Sequence, residues 1–307
     1  MIRKIIFFTC LVLFAVSCSR NKEHDGILIA VSIPPQKWFV SQIAGDKADT
    51  ILLVPPGQNP HNYEPTPRQI QNLADASAWI LSGAEFEISL RPKIESLFPN
   101  LLIIDGTQGM QFRLLEAHYH DDDGDEHDCD DDHEHHYSRT HGHSDYELDR
   151  HTWLGREPAK VLASHIAAFL RSIDNVNEKY YLEQYENLVL LIDEEFEKLK
   201  IILAPLYGRS VFVYHPSFGY FLDEFGIHQE AVETGGKEPS PRQLSLLIDK
   251  MIKEQVTVIF VQTQFPVNAA KTIADAVGAQ VLELDPLAED WLLNIRIIGQ
   301  TLQKAIP

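Results

Sequence analysis

Asp174-Asn-Val-Asn-Glu-Lys-Tyr-Tyr-Leu-Glu-Gln-Tyr-Glu-Asn-Leu-Val-Leu-Leu-Ile-Asp-Glu-Glu-Phe-Glu-Lys-Leu-Lys-Ile-Ile-Leu-Ala204 is the stretch on which the fold turns. Tyr181, Tyr185, Leu188, Val189, Ile192, Phe196, Leu199 and Leu203 recur at three- and four-residue steps, with Glu186, Glu194, Glu195 and Lys198 between them. That is the period of a helix with one apolar stripe. It ends at Pro205. At 1.5 Å per residue it would extend on the order of 45 Å, enough to run through two lobes, although an ordinary surface helix has the same pattern.

On both sides of this helix the chain alternates strands and helices. Before it come strand Ile27–Ile33, a helix from Pro35, strand Thr50–Val54 and a helix near Pro67–Ala74. Strand Ala78–Ser82, helix Phe86–Leu97, strand Leu101–Asp105 and a helix from Glu157 to Arg171 complete that half. After it come strand Ser210–Tyr214, a helix near Phe218–Phe225, strand His228–Val232 and helix Arg242–Glu254. Strand Thr257–Gln262, helix Asn268–Val277, strand Gln280–Leu284 and helix Trp291–Leu302 follow. A βα alternation predicts parallel sheets with helices on their faces. The expected fold class is therefore α/β: a first βα lobe over 27–173, a linking helix over 174–204 and a second βα lobe over 205–307.

Residues 115–150 interrupt the first lobe with a low-complexity insertion. Its span 118–149 holds thirteen acidic residues against one arginine, about −12 of the chain's net −19. His118, His120, His127, His133, His135, His136, His141 and His143 lie in it. So few apolar residues cannot bury a core. So many imidazoles among carboxylates predict weak, interchangeable zinc binding; a solvated acidic tail is the alternative. A net charge of −19 argues against a nucleic-acid partner.

The amino terminus reads as an export signal over 1–18. Arg3 and Lys4 precede an apolar run of about 13 residues, Ile5 to Ser17, too short for a membrane span. It closes on Ala15-Val-Ser-Cys18, a relaxed form of the lipobox in which Cys18 becomes the lipidated first residue; plain signal cleavage is the alternative. Residues 19–26 would be the tether to the membrane. With Cys10 in the signal and Cys18 acylated, Cys129 would be the one thiol left, and no internal disulfide is expected.

Gly57-Gln-Asn-Pro-His61-Asn-Tyr-Glu-Pro-Thr-Pro67 is a stiff loop presenting one imidazole. His215 follows one predicted strand, Asp285 another, and His151 opens the ordered chain after the insertion. Loops at the carboxyl ends of strands line the crevice of an open α/β sheet. Three imidazoles and a carboxylate would make an N₃O set suited to zinc. Gaps of tens of residues do not decide this, and for His61 alone an idle surface histidine is the competing reading. There is no phosphate-binding glycine loop. His133-Glu134-His135-His136 lacks the second His of a zinc-protease helix, and His118-Tyr-His120-Asp121-Asp-Asp123 lacks the final His of a metallo-hydrolase motif. His165 and His228 are expected to be structural or exposed, and Trp153 and Tyr220 to pack around the cleft.

Asn59-Pro-His61-Asn-Tyr-Glu-Pro-Thr-Pro67, His151-Thr-Trp153-Leu154, Tyr214-His215-Pro-Ser-Phe-Gly-Tyr220-Phe221, Glu238-Pro-Ser-Pro-Arg-Gln-Leu244 and Leu284-Asp285-Pro286-Leu287 together resemble the metal-binding solute receptors of bacterial ABC importers, the ZnuA/TroA-like class. The likeness covers essentially the whole mature chain. Two positions depart from its pattern: Arg150 stands where Pro is usual before the second His, and Gly155 where Ser is usual. The resemblance implies two βα lobes on one long helix, with ligands His61, His151, His215 and Asp285. It implies Zn²⁺ as transported ligand, since manganese receptors of the class resemble a site with Glu where His215 stands. It further implies a monomeric, non-enzymatic receptor outside the cytoplasmic membrane that serves a membrane permease with a separate ATPase, and an insertion that gathers metal. A manganese or iron receptor, a secreted zinc hydrolase using Glu64 as base, and a surface adhesin are the competing readings.

Overall fold

The computed structural model describes residues 26–115, 148–233 and 239–306. The expected signal and lipidated Cys18, most of the tether, and residues 116–147 of the insertion, with all eight of its histidines, lie outside them.

In the first half, β1 (Ile27–Val31), β2 (Ala48–Leu52), β3 (Ala78–Leu81) and β4 (Leu102–Asp105) form one parallel sheet in the order β2-β1-β3-β4. In the second, β5 (Ser210–Val213), β6 (His228–Ala231), β7 (Val258–Gln262) and β8 (Gln280–Leu284) repeat that plan as β6-β5-β7-β8. β1 and β3 are buried along almost their whole length, the signature of strands covered on both faces. The helices are α1 (Pro34–Ala44), α2 (Pro67–Asn72), α3 (Glu85–Leu97) and α4 (Arg156–Ile173) around the first sheet, and α6 (Gly219–Asp223), α7 (Pro241–Lys253), α8 (Val267–Val277) and α9 (Trp291–Leu302) with the second. No described helix is long and apolar enough to cross a membrane.

The long helix, α5, runs from Glu178 to Leu203, about 39 Å at 1.5 Å per residue. It starts later than the pattern predicts because Asp174 caps a separate 3₁₀ turn, Asn175–Asn177, accepting from the Asn177 amide at 3.3 Å. Tyr181, Leu188, Ile192, Phe196, Leu199 and Leu203 are buried, as their spacing requires. Glu195, read as part of the polar face, is buried too. Arg296 of α9 reaches it bidentately, at 2.9 and 2.6 Å, and so neutralises a charge that burial would otherwise penalise.

Helix α9 belongs to the second half of the chain but completes the core of the first. Trp291 is fully buried, with its ring 5.0 Å from Phe39 and 5.8 Å from Trp38 of α1. Gly299 lets α9 approach α5 closely: a Cβ there would lie 2.4 Å from Leu199 Cδ2. One apolar cluster therefore extends from β1 through α5 to α9, while a smaller one fills the far side of the second sheet.

Candidate metal centre

Both sheets turn the carboxyl ends of their strands toward a shared cleft, and each half contributes imidazoles to it. Beyond β2 the chain enters the proline-rich loop, where Pro60–Asn62 form a 3₁₀ turn and Asn59 Oδ1 accepts from the His61 amide at 3.0 Å. Gln69 anchors the loop from α2: its Nε2 donates to Leu53 O at 2.7 Å, and its Oε1 accepts from the Thr66 amide at 2.9 Å. His151 opens a second 3₁₀ turn, Thr152–Leu154. His215 lies two residues past β5, and its amide donates to Gln262 Oε1 at 3.1 Å.

His61 Nε2 and His215 Nε2 each lie 3.3 Å from His151 Nε2. All three donors sit within 4.8 Å of one another, with His151 and His215 buried. Ligands on a tetrahedron around zinc, at 2.0–2.1 Å, are separated by about 3.3–3.4 Å; an octahedral edge at the same bond length is about 2.9 Å. Both separations from His151 match the tetrahedral edge.

Behind each imidazole stands a carboxylate. Glu85 Oε2 is 3.0 Å from His61 Nδ1, and Asp149 Oδ1 is 2.8 Å from His151 Nδ1. Glu233 Oε2 is 3.6 Å from His215 Nδ1, beyond hydrogen-bond length, so its pull is electrostatic. A carboxylate at Nδ1 places the proton there and leaves the Nε2 lone pair free for a metal, while raising its basicity. Three lone pairs aimed at one buried point repel each other unless a cation lies among them.

The same groups shape the protonation of the site. Burial opposes ionisation of Glu85, but the hydrogen bond from His61 and the charges of His61 and His151 outweigh it and hold its pKa at about 2. Asp149 is likewise held below its ordinary range: burial is outweighed by His151 and Arg113. His215 is lowered too, to about 4, but here chiefly because burial disfavours the imidazolium. Its ring also stacks on Phe265, with centroids 4.7 Å apart.

Asp285 is not in the three-histidine group. It is half-buried just past β8, and its Oδ1 accepts from Gln264 Nε2 and from the Leu287 amide, both at 2.8 Å. Its loop is nevertheless tied to the His151 turn, because Trp153 Nε1 donates to Pro286 O at 2.8 Å. Glu64 is exposed, and Glu85, not Glu64, faces the His61 ring. His165 bonds Gln108 O at 2.9 Å, and His228 is exposed on β6.

The three carboxylates were not picked out from the sequence, although a signal for two existed. Glu85 and Glu233 fall just past β3 and β6, the same strand-end position that singled out His215 and Asp285. The departure at Gly155 also has a cause. A Cβ there would come within 2.9 Å of Tyr220 Cβ, so the serine usual in the family pattern has no room beside this tyrosine.

Receptors that carry a metal ion as solute take this form, two α/β lobes meeting over a small imidazole-lined cleft, and the chain is a solute-binding protein of that class. Its residues 29–305 match the model of zinc-uptake complex component A, periplasmic, and the chain belongs to that family, ZnuA. The high-affinity zinc uptake system protein ZnuA of Bacillus subtilis is 27% identical over 273 residues, covering 88% of this chain and 81% of that one. A crystal structure of ZnuA superimposes with a TM-score of 0.80 at 32% identity, covering 92% of this chain and 100% of the other. A ZnuA deletion mutant solved with zinc bound gives 0.79 at 32% identity, over 92% and 98% of the two chains. The chain also matches the longer zinc-binding lipoprotein AdcA of Streptococcus pneumoniae, of whose length it spans 53%.

Proposed function

We propose that this chain is a high-affinity extracytoplasmic receptor for Zn²⁺ that passes the ion to the membrane permease of an ABC importer driven by a separate ATPase. The observation that carries this reading is the 3.3 Å spacing of Nε2 atoms contributed by both lobes. His61, His151 and His215 are the nitrogen ligands. Asp285 is the fourth ligand in this reading: Gln264 and Leu287 already bond its Oδ1, so Oδ2 would be the donor to the metal. A set richer in oxygen would favour manganese; three imidazoles favour zinc. Four protein ligands leave little place for an activated water, which argues against a hydrolase.

In this reading the lipid on Cys18 keeps the receptor at the membrane as a monomer, and the histidines of residues 118–143 gather zinc at lower affinity. Calorimetry on His61→Ala tests the assignment: tight zinc binding should vanish with the insertion still present, and retained tight binding would refute it. Removing residues 118–143 should leave one tight site and abolish the weak ones; an unchanged zinc stoichiometry would rule out the gathering role. Competition between Zn²⁺ and Mn²⁺ decides the metal.

A further inference from the structure

We propose that Arg113 is the pin of a latch between the lobes that controls how fast the bound ion leaves; this rests on the zinc reading above. Arg113 comes from the first lobe, a few residues past β4, yet it is bonded to the second. Its Nε donates to Asp223 Oδ2 at 2.9 Å, and its backbone amide to the Tyr220 hydroxyl at 3.0 Å. That hydroxyl in turn donates to the Asp149 carbonyl at 2.9 Å. Gly219, at the start of α6, makes room for the guanidinium: a Cβ there would stand 1.7 Å from Nη1.

The remaining contact joins the latch to the site. Arg113 Nη1 donates to Asp149 Oδ2 at 2.8 Å, while Asp149 Oδ1 faces His151 Nδ1 at 2.8 Å and accepts from the His151 amide at 3.0 Å. One carboxylate thus holds the latch with one oxygen and the imidazole with the other. Its side chain is fully buried and that of Arg113 is 13% exposed, so neither group can lose its partner cheaply. When α6 is drawn away from the first lobe, Arg113 loses Asp223 and Tyr220 and the Asp149 carbonyl loses the Tyr220 hydroxyl, so the pair that orients His151 is held from one side only. Opening the lobes therefore weakens the ligand. A permease that pries them apart would release the ion without touching it.

The test is zinc release from the full chain into excess chelator, followed by stopped flow, for Arg113→Ala and Tyr220→Phe. Removing a cation near a Zn²⁺ site would by charge alone slow release, and Tyr220→Phe changes no charge, so acceleration in both has a positional cause. Loss of groups that orient metal ligands typically costs 10–100-fold. We expect release about 10–100-fold faster in Arg113→Ala and several-fold faster in Tyr220→Phe, with association rates unchanged. Release at the wild-type rate in Tyr220→Phe, or slower release in Arg113→Ala, overturns the latch. Absence of tight zinc binding in the wild-type chain would instead overturn the receptor reading.

Discussion

Replacing His215 with Gln removes an imidazole whose folded pKa is about 4 against an ordinary 6.5. The consequence for the metal-free protein is a specific loss of acid sensitivity. As pH falls through 6.5 the unfolded chain takes up a proton at this position, while the folded one stays neutral until about 4. The unfolded state then binds more protons, so stability declines on acidification and levels off below the folded value. At about 1.4 kcal/mol per unit, the interval from 6.5 down to 5 corresponds to about 2 kcal/mol. Urea denaturation in excess chelator at pH 7.5 and pH 5 measures it: the wild-type protein should lose about 2 kcal/mol more than His215→Gln. Other titrating groups are common to both proteins and cancel, among them Glu87, whose carboxyl is pushed up by complete burial. Equal losses in the two proteins would refute the account of His215 as a buried neutral base.

Three further outcomes follow from the same geometry. Glu85→Gln leaves every proposed ligand in place but weakens the group 3.0 Å behind His61, and calorimetry should find zinc affinity lowered about 10–100-fold. Trp291→Phe removes the indole N–H that donates to Trp153 O at 2.6 Å inside the shared core, and should cost about 1–3 kcal/mol in urea denaturation. Gly219→Ala puts a methyl where the Arg113 guanidinium lies, so zinc release should accelerate as in Arg113→Ala, and the thermal midpoint should fall because buried Asp149 loses its partner.

Much of the fold was legible because the chain punctuates its elements strongly. Pro67 and Pro241 open helices behind the capping residues Thr66 and Ser240, each answered by a glutamine three residues on. Reading and structure differ at a few places. Strand β2 ends at Leu52 rather than Val54, although the Leu53 and Val54 amides still bond Val31 O and Ser32 O at 3.0 and 2.9 Å. Glu195 looked solvent-facing because its partner Arg296 is 101 residues away. The site divides in the same way. His61, His151 and His215 stood out as residue types in loops, and the structure brings them together. The pairing of His61 with Glu85 depends on how the β3–α3 turn is held. Glu87 there accepts from the Ser82 and Gly83 amides, both at 2.8 Å, and no spacing in the chain announces that.

The core shared by α1, α5 and α9 also sets an order of events during synthesis. Helix α1 lies over residues 34–44 and α9 over residues 291–302, so the two faces that meet at Trp38, Phe39 and Trp291 are made far apart in translation. Until α9 exists, the first lobe must keep an aromatic surface uncovered, and α5 lacks the partner that neutralises Glu195. Folding of the first lobe therefore cannot finish before α9 has been made. A chain truncated before Trp291 would be left with an unclosed lobe rather than one finished lobe and one missing.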